Sequence, residues 1–80
     1  MKTVTYTRTA IKALKKMPGK DSKAIMAKID SYAAGGTQDV VALQGSDQLR
    51  LRHGNWRAIF TEEGTVLAVL NVAKRGEAYR

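Results

Sequence analysis

The chain has 80 residues, enough for one small domain with a single core, and carries 14 Lys and Arg against 7 Asp and Glu. It has no cysteine and one histidine, which excludes disulfides, thiolate metal sites and multi-histidine metal sites. No apolar run has the length of a signal-peptide core or a membrane span, so we expect a cytoplasmic protein forming one domain over residues 1–80.

The positive charge is concentrated in two segments of the chain. Residues 1–28 carry eight lysines and arginines and one acid, and residues 50–80 carry six basic residues and three acids. Charge of this kind predicts nucleic acid or an acidic protein as the partner. For the first segment, lysines that only solvate helix surfaces are an equally good interpretation.

The N-terminal residues predict a strand followed by a helix. Residues 2–6 alternate threonine with apolar side chains, as a half-buried strand does. Thr7 or Thr9 can cap the helix, and Pro18-Gly19 ends it. Its apolar stripe, at helical spacing, consists of Ala10, Ile11, Leu14 and Met17.

A second helix is predicted to begin at Asp21 or Ser22 and to end at Gly35-Gly36. Its apolar residues are Ile25, Met26, Ile29 and Tyr32. Residues 37–47 are rich in turn formers and contain a short apolar island. We interpret this segment as a connection that docks on the core.

The C-terminal half predicts three strands, over residues 48–53, 55–62 and 65–74, joined by hairpin turns at Gly54-Asn55 and Glu63-Gly64. The last strand is apolar nearly throughout, which predicts a central position in the sheet. The element order β-α-α-β-β-β predicts an α+β fold. In that fold, two N-terminal helices pack on one face of a mainly antiparallel, four-stranded sheet.

Because two helices can cover only one face of this sheet, alternation divides the strand residues between a core face and an open face. The core face is predicted to hold Leu49, Leu51, Trp56, Ala58, Phe60, Val66, Leu70 and Val72. The open face is predicted to hold Arg50, Arg52, Arg57, Ile59, Asn71 and Arg75, with Lys74 in the same cluster. Clustered arginines repel one another unless an anion binds, and the guanidinium matches phosphate geometry. The face is therefore a predicted phosphate-binding surface. The alternative is that the arginines only keep an open sheet soluble and prevent its edge strands from pairing with other chains.

The residues of this hairpin, together with the chain's ending, resemble a known family. Residues 50–60 read RLRHGNWRAIF and residues 72–80 read VAKRGEAYR. With the basic first helix over residues 9–18, this order of motifs is similar to that of the RelE/ParE toxin superfamily of bacterial toxin–antitoxin pairs. The resemblance covers almost the whole chain and implies a RelE-like fold.

The RelE branch of the family implies a ribosome-dependent, metal-independent and cofactor-free mRNA endoribonuclease that blocks translation. In that reaction, the ribose 2′-OH attacks the adjacent phosphodiester. By position in the motifs, Arg57 is implied to hold the scissile phosphate, Arg75 to act at the end of the last strand, and Arg50 to stabilise charge. Tyr79 is implied to stack on a base or to transfer a proton, and Lys74 is a further catalytic candidate. Arg52, Lys12, Lys15 and Lys16 are candidate contacts to RNA or the ribosome.

The chain departs from the family where a proton acceptor is expected. Gln48 stands where the best-known members have lysine, and no histidine precedes Tyr79. Tyr79, Lys74 and His53 remain candidates, although we favour His53 as a turn residue. For Trp56, we favour a core position over a stacking platform.

Two other functions share the fold that the resemblance implies. A ParE-type toxin inhibits DNA gyrase by binding, and an inactive relative would only bind an antitoxin. ParE-like proteins generally lack the combination of hairpin arginine, strand-end arginine and C-terminal tyrosine, which favours RNA cleavage here. The expected partners are the ribosome, mRNA and a cognate antitoxin, acidic or of the helix-turn-helix type, encoded by the neighbouring gene.

Overall fold

A mixed sheet covered on one face by two helices forms the molecule; the computed structural model describes residues 1–36, 39–43 and 45–74. The elements are β1 (Thr3–Tyr6), α1 (Arg8–Lys16), α2 (Gly19–Ala33), β2 (Val40–Ala42), β3 (Gln48–His53), β4 (Trp56–Glu63) and β5 (Val66–Lys74). The strands lie in the order β1-β5-β4-β3-β2, with β1 parallel to β5 and every other pair antiparallel. The predicted α+β class and mainly antiparallel sheet are confirmed. Neither of these helices is long and apolar enough to cross a membrane.

Helix α1 follows the strand directly because Thr7 caps it. The Ala10 backbone N–H donates to Thr7 Oγ1 at 3.1 Å, satisfying one of the free donors of the first turn. Ala10 is fully buried and Leu14 is half-buried, as the helical spacing predicts. Ile11 is 42 % exposed, so its predicted place on the buried stripe is wrong.

Helix α2 begins at Gly19, before the predicted caps Asp21 and Ser22, and no side chain caps it. The carboxylate of Asp21 lies in the first turn, where it interacts favourably with the helix dipole. The predicted end is confirmed. Gly35 has a φ of 109°, and the Gly36 N–H donates to the Ser31 carbonyl at 2.9 Å.

A fifth strand lies in the segment that was predicted to be a connection. Strand β2 pairs antiparallel with β3, with Val41 opposite Arg50, and forms one edge of the sheet. Its three residues are too few to show an alternating pattern, and its pairing depends on β3 rather than on its own sequence. Asp39, with a φ of 61°, directs the chain into this strand.

Strand β5 has neighbours on both sides, which confirms its predicted central position. The assignment of its faces was wrong in part, because the register with β4 shifts between Ile59 and Phe60. Leu67 and Val69 therefore enter the core, in place of the predicted Val66 and Leu70. A bulge of this kind inserts one residue and inverts the alternation beyond it.

The core lies between the helices and this sheet face. Its largest fully buried side chains are Phe60, Ile25, Ile29, Leu51, Leu67 and Val69. The ring of Tyr32 packs edge-on against Phe60, with 5.3 Å between the centroids. Each such side chain contributes roughly 1.5–3 kcal/mol on burial, so the strands that carry the arginines rest on a rigid layer.

Candidate functional site

Three arginines lie on the sheet face that the helices leave uncovered. In the register of β3 with β4, Arg52 lies directly opposite Arg57, and Arg50 lies opposite Ile59. Ile59 is in turn opposite Asn71 of β5. We call this surface, formed by Arg50, Arg52, Arg57, Ile59 and Asn71, the arginine face. The structure thus brings the hairpin arginines together on one face.

Arg57 is far less exposed than predicted. Its side chain lies on the solvent side of the sheet, yet the residue is only 8 % exposed. Its Nη1 donates hydrogen bonds to the Gly54 carbonyl at 2.6 Å and to the Trp56 carbonyl at 2.8 Å. The guanidinium is therefore held against the β3–β4 turn, where its removal is expected to cost stability.

The turn that holds Arg57 depends on glycine. Gly54 has a φ of 57° at the first of the two turn residues, the position where a tight hairpin of this length requires a positive φ. The predicted turn at Gly54-Asn55 is confirmed. The second turn lies at Gly64-Thr65, one residue later than predicted.

Beside the arginines, at the β2 edge, lies a cleft of about 160 Å³ lined by Asp39, Val41, Arg50 and Arg52. Asp39 was missed by the sequence analysis because it stands in a segment interpreted as a connection. Its Oδ2 accepts from Lys28 Nζ at 2.9 Å. This hydrogen bond, the charge of Lys28 and, more weakly, that of Arg52 hold the pKa of Asp39 below its ordinary value. Asp39 is thus ionised at neutral pH and partly balances the arginines.

Lys74 does not join the arginine cluster, which corrects the prediction. In the register it lies opposite Trp56, whose ring belongs to the helix-covered face. Its Nζ lies 5.8 Å from the centre of the Trp56 ring. This place follows from alternation, because Val72 and Lys74 are two residues apart and Val72 lies in the core.

Lys12, Lys15 and Lys16 are exposed on α1. They belong to the helix layer, so they lie on the opposite side of the sheet from the arginine face. The molecule therefore has two separate basic surfaces. His53 also points to the helix side, where its Nε2 lies 3.4 Å from Asp21 Oδ1, in keeping with the preferred structural interpretation of this residue.

Arg75 and Tyr79 lie outside the residues that the structure describes. The predicted contribution of both to the site remains a prediction. The described part of the site consists of cations on a rigid sheet, with Arg52 and Arg57 in a directly opposed pair. Like charges in such a pair repel, at a cost of roughly 0.2–1 kcal/mol. A phosphate bound between them would remove that repulsion and accept several hydrogen bonds.

No protein-family model and no curated protein matches the sequence of this chain. Solved structures do match over nearly its full length. An archaeal RelE-RelB complex from Pyrococcus horikoshii OT3 has 26 % sequence identity, covers 96 % of this chain and 98 % of its own, and gives a TM-score of 0.78. The isolated RelE toxin of E. coli has 17 % identity, with 99 % and 92 % covered and a TM-score of 0.80. YafQ from E. coli strain BL21(DE3) has 11 % identity, with both chains fully covered and a TM-score of 0.79.

These structures share with the chain its length and its arrangement of two helices on one face of a sheet. The agreement extends over whole chains rather than one motif, and it is independent of the arginine pattern from which the resemblance was first drawn. By its structure, the chain therefore has the fold of the RelE-like toxins.

Proposed function

We propose that the protein is the toxin of a toxin–antitoxin pair and acts as a ribosome-dependent mRNA endoribonuclease. The observation that carries the proposal is the arginine face on a RelE fold. Arg50, Arg52 and Arg57 come from two neighbouring strands and converge on a surface without helix cover. Because guanidinium groups bind phosphate oxygens in a fixed planar geometry, such a surface suits a phosphodiester.

The proposed reaction uses only groups of the RNA and of the protein. The 2′-oxygen forms a bond to the adjacent phosphorus while the bond from phosphorus to the 5′-oxygen breaks, leaving a 2′,3′-cyclic phosphate and a 5′-OH. A base takes the proton of the 2′-OH, and an acid supplies one to the leaving 5′-oxygen. The dianionic phosphorane between these steps needs preorganised positive charge.

Arg57 suits the role of holding the phosphate. Its hydrogen bonds to the turn carbonyls fix the guanidinium on the sheet before any ligand arrives. A fixed cation stabilises developing charge without the cost of reorganisation. Arg52, directly opposite Arg57, and Arg50, two residues farther along β3, can contact flanking phosphate oxygens. We assign Arg75 and Tyr79 to charge stabilisation and proton transfer.

The proposed partners follow from the same reasoning. Similar solved structures include complexes of RelE with RelB. We propose that this chain likewise binds a cognate antitoxin, and that Lys12, Lys15 and Lys16 contact ribosomal RNA. The mRNA is the substrate and lies on the arginine face.

Primer extension on cellular mRNA after brief induction tests the proposal. Cleavage within translated regions, lost in Arg50→Gln and Arg52→Gln, supports it. A matched control, Lys23→Gln, removes a positive charge from an exposed position of α2 and is expected to leave cleavage unchanged.

A supercoiling assay with purified DNA gyrase runs in parallel. Intact mRNA together with inhibited gyrase would replace this proposal with the ParE-type function. If mRNA stays intact and gyrase stays active, the chain would instead be an inactive relative that only binds an antitoxin.

A further inference from the structure

Trp56, the single tryptophan of the chain, borders a cavity on the helix side of the sheet. The cavity has a volume of about 280 Å³ and lies between the end of α1, the start of β4 and the end of β5. Its apolar walls come from Ala13, Met17 and Val72. Trp56 packs against the core, as the sequence analysis favoured, but it is only half-buried and also lines this cavity.

Two lysines stand at the mouth of this cavity. Lys16 and Lys74 both line it and both are exposed, whereas none of the described residues that line it is acidic. The Lys74 ammonium lies 5.8 Å from the centre of the Trp56 ring, near the outer limit of a cation–π contact. The contact is weak at that distance, and the Lys74 side chain is flexible and exposed. The ammonium can therefore turn toward an anion at little cost in binding energy.

A residue that lines the cavity is adjacent in sequence to a residue of the arginine face. Trp56 and Arg57 are consecutive residues of β4, with Cα atoms about 3.8 Å apart, and their side chains point to opposite faces. Arg57 Nη1 is hydrogen-bonded to the Trp56 carbonyl at 2.8 Å. An RNA strand that crosses the hairpin end of the sheet can therefore reach both residues with neighbouring nucleotides.

We propose that this cavity binds one nucleotide of single-stranded RNA, with the base stacked on Trp56 and its phosphate held by Lys16 and Lys74. The proposal rests on the proposed function and adds to it a subsite beside the scissile phosphate. An aromatic face next to apolar walls suits a planar base, and the two ammonium groups suit the charge of its phosphate. Stacking accepts every base, so the subsite is expected to position RNA with little sequence preference.

The single tryptophan makes the test direct, because every change in tryptophan fluorescence reports on Trp56. The protein is titrated with adenosine, cytidine, guanosine and uridine monophosphates, after correction for nucleotide absorbance. We expect saturable quenching by all four, with a Kd on the order of 1 mM. Ribose 5-phosphate, which has the phosphate and no base, is expected to give no quenching. Absence of quenching by the nucleotides, or equal quenching by ribose 5-phosphate, would overturn the proposal.

Charge variants test the role of the lysines. Lys16→Gln and Lys74→Gln are each expected to weaken nucleotide binding by roughly 3-fold or more, since each removes one ammonium from the phosphate. Lys23→Gln, on an exposed position outside the cavity, is the matched control and is expected to bind like the parent chain. Equal affinities for all of these proteins would show that the lysines do not bind the phosphate.

Ring variants test the stacking. Labelled trinucleotide RNA is followed by fluorescence anisotropy, and each variant is first checked by thermal unfolding. Trp56→Phe keeps an aromatic ring and is expected to bind within about 3-fold of the parent, whereas Trp56→Leu is expected to lose about 10-fold. Equal binding by the two variants excludes stacking. If Trp56→Leu does not fold, the nucleotide titrations and the lysine variants still decide the proposal.

Two outcomes separate this site from the proposed function. Nucleotide binding by a chain that leaves mRNA intact would keep the cavity as a nucleotide site and overturn the endoribonuclease. If the chain cleaves mRNA but its Trp56 fluorescence does not change with nucleotides, the endoribonuclease proposal stands and the nucleotide site is overturned. Quenching by an acidic peptide with none by nucleotides would assign the cavity to a protein partner and overturn the RNA subsite.

Discussion

Among the individual residues, Arg57 is both a structural and a candidate catalytic group. Its hydrogen bonds to two turn carbonyls mean that Arg57→Ala leaves those carbonyls without their charged donor. We expect a loss of about 1–3 kcal/mol in the free energy of unfolding, measured by urea denaturation. Arg52→Ala, which removes an exposed charge from the same opposed pair, is the control and is expected to change it by less than about 0.5 kcal/mol. Equal losses would contradict the role assigned to Arg57.

Arg75 and Tyr79 carry the remaining predicted chemistry. Arg75→Ala and Tyr79→Phe are each expected to lower the rate of mRNA cleavage on the order of 10²-fold and to relieve growth arrest. This is the usual scale for one electrostatic or proton-transfer group. The rate of mRNA cleavage is measured under single-turnover conditions on programmed ribosomes. Full toxicity of the Arg75 variant would defeat its assignment.

Glu62 predicts a dependence of stability on pH. It accepts hydrogen bonds from Lys2 and Tyr32, and these bonds, with the charge of Lys2, hold the pKa of Glu62 below its ordinary value of 4.5. Because the folded pKa lies below the unfolded one, the stabilisation is complete above about pH 4.5 and is lost as the pH falls through the folded value.

Glu62→Gln tests this dependence. Urea denaturation from about pH 7 to about pH 3 is expected to show a parent chain more stable than the variant at the upper end, with the difference shrinking below about pH 4.5. A difference that stays constant over the whole range would exclude the ionised carboxylate as its cause. Tyr32 stays neutral throughout, since burial first, and then Glu62, raise the pKa of its hydroxyl.

Among the elements, helix α1 has two functions on two sides. Its buried side packs Ala10 and the half-buried Leu14 against the sheet, while Lys12, Lys15 and Lys16 face outward. The helix contributes to the fold through the first set and, in our proposal, to ribosome docking through the second. Exposed lysines can therefore be replaced without loss of packing.

Replacement of Lys12, Lys15 and Lys16 by glutamine is expected to weaken ribosome binding and to flatten its salt dependence. The slope of log affinity against log salt should fall by ~0.7–0.9 for each RNA phosphate that the variant no longer neutralises. Cleavage on saturating ribosomes is expected to survive, because the arginine face is unchanged, and Lys16→Gln alone measures the part of any loss that belongs to the nucleotide subsite. Lys20→Gln with Lys23→Gln, on exposed positions of α2, is the comparison, with two positive charges removed instead of three. An unchanged affinity and slope in the triple variant would make these lysines a solvated surface only.

In the molecule as a whole, the two basic surfaces lie on opposite sides of the sheet. The molecule measures 30 × 26 × 23 Å, so a partner that contacts both must run around it. About 8 extended residues cross such a distance. A segment that folds as it binds reaches both sides more easily than a compact domain of similar size. Charge attraction would speed the association, and apolar contacts would slow release.

We therefore expect co-expression with the neighbouring small gene to restore growth and to give a stable, copurifying complex. Hydrogen exchange or chemical footprinting is expected to show loss of solvent access at the arginine face or at Tyr79. The free chain is the reference for both measurements. A tight, neutralising complex that leaves both as exposed as before would instead point to blocked entry into the ribosome.

Features that depend on short-range patterns could be predicted from the amino-acid sequence. Alternation in residues 48–53 placed Arg50 and Arg52 on one face, Gly54-Asn55 located the turn that brings Arg57 opposite them, and an almost wholly apolar last strand predicted its central place. These features depend on steric preferences of a few neighbouring residues, which the chain carries with it. The helix order and the α+β class followed in the same way.

Features that depend on residues far apart in the chain became visible in the folded molecule alone. Strand β2 exists because β3 offers it a partner, and the β5 bulge brings Leu67 and Val69 into the core. The burial of Arg57 depends on carbonyls that the folded turn presents. A strand period of two residues cannot reveal an inserted residue, and three residues show no period at all. Pairing between strands, set by the packed sheet, supplies the information that local sequence lacks.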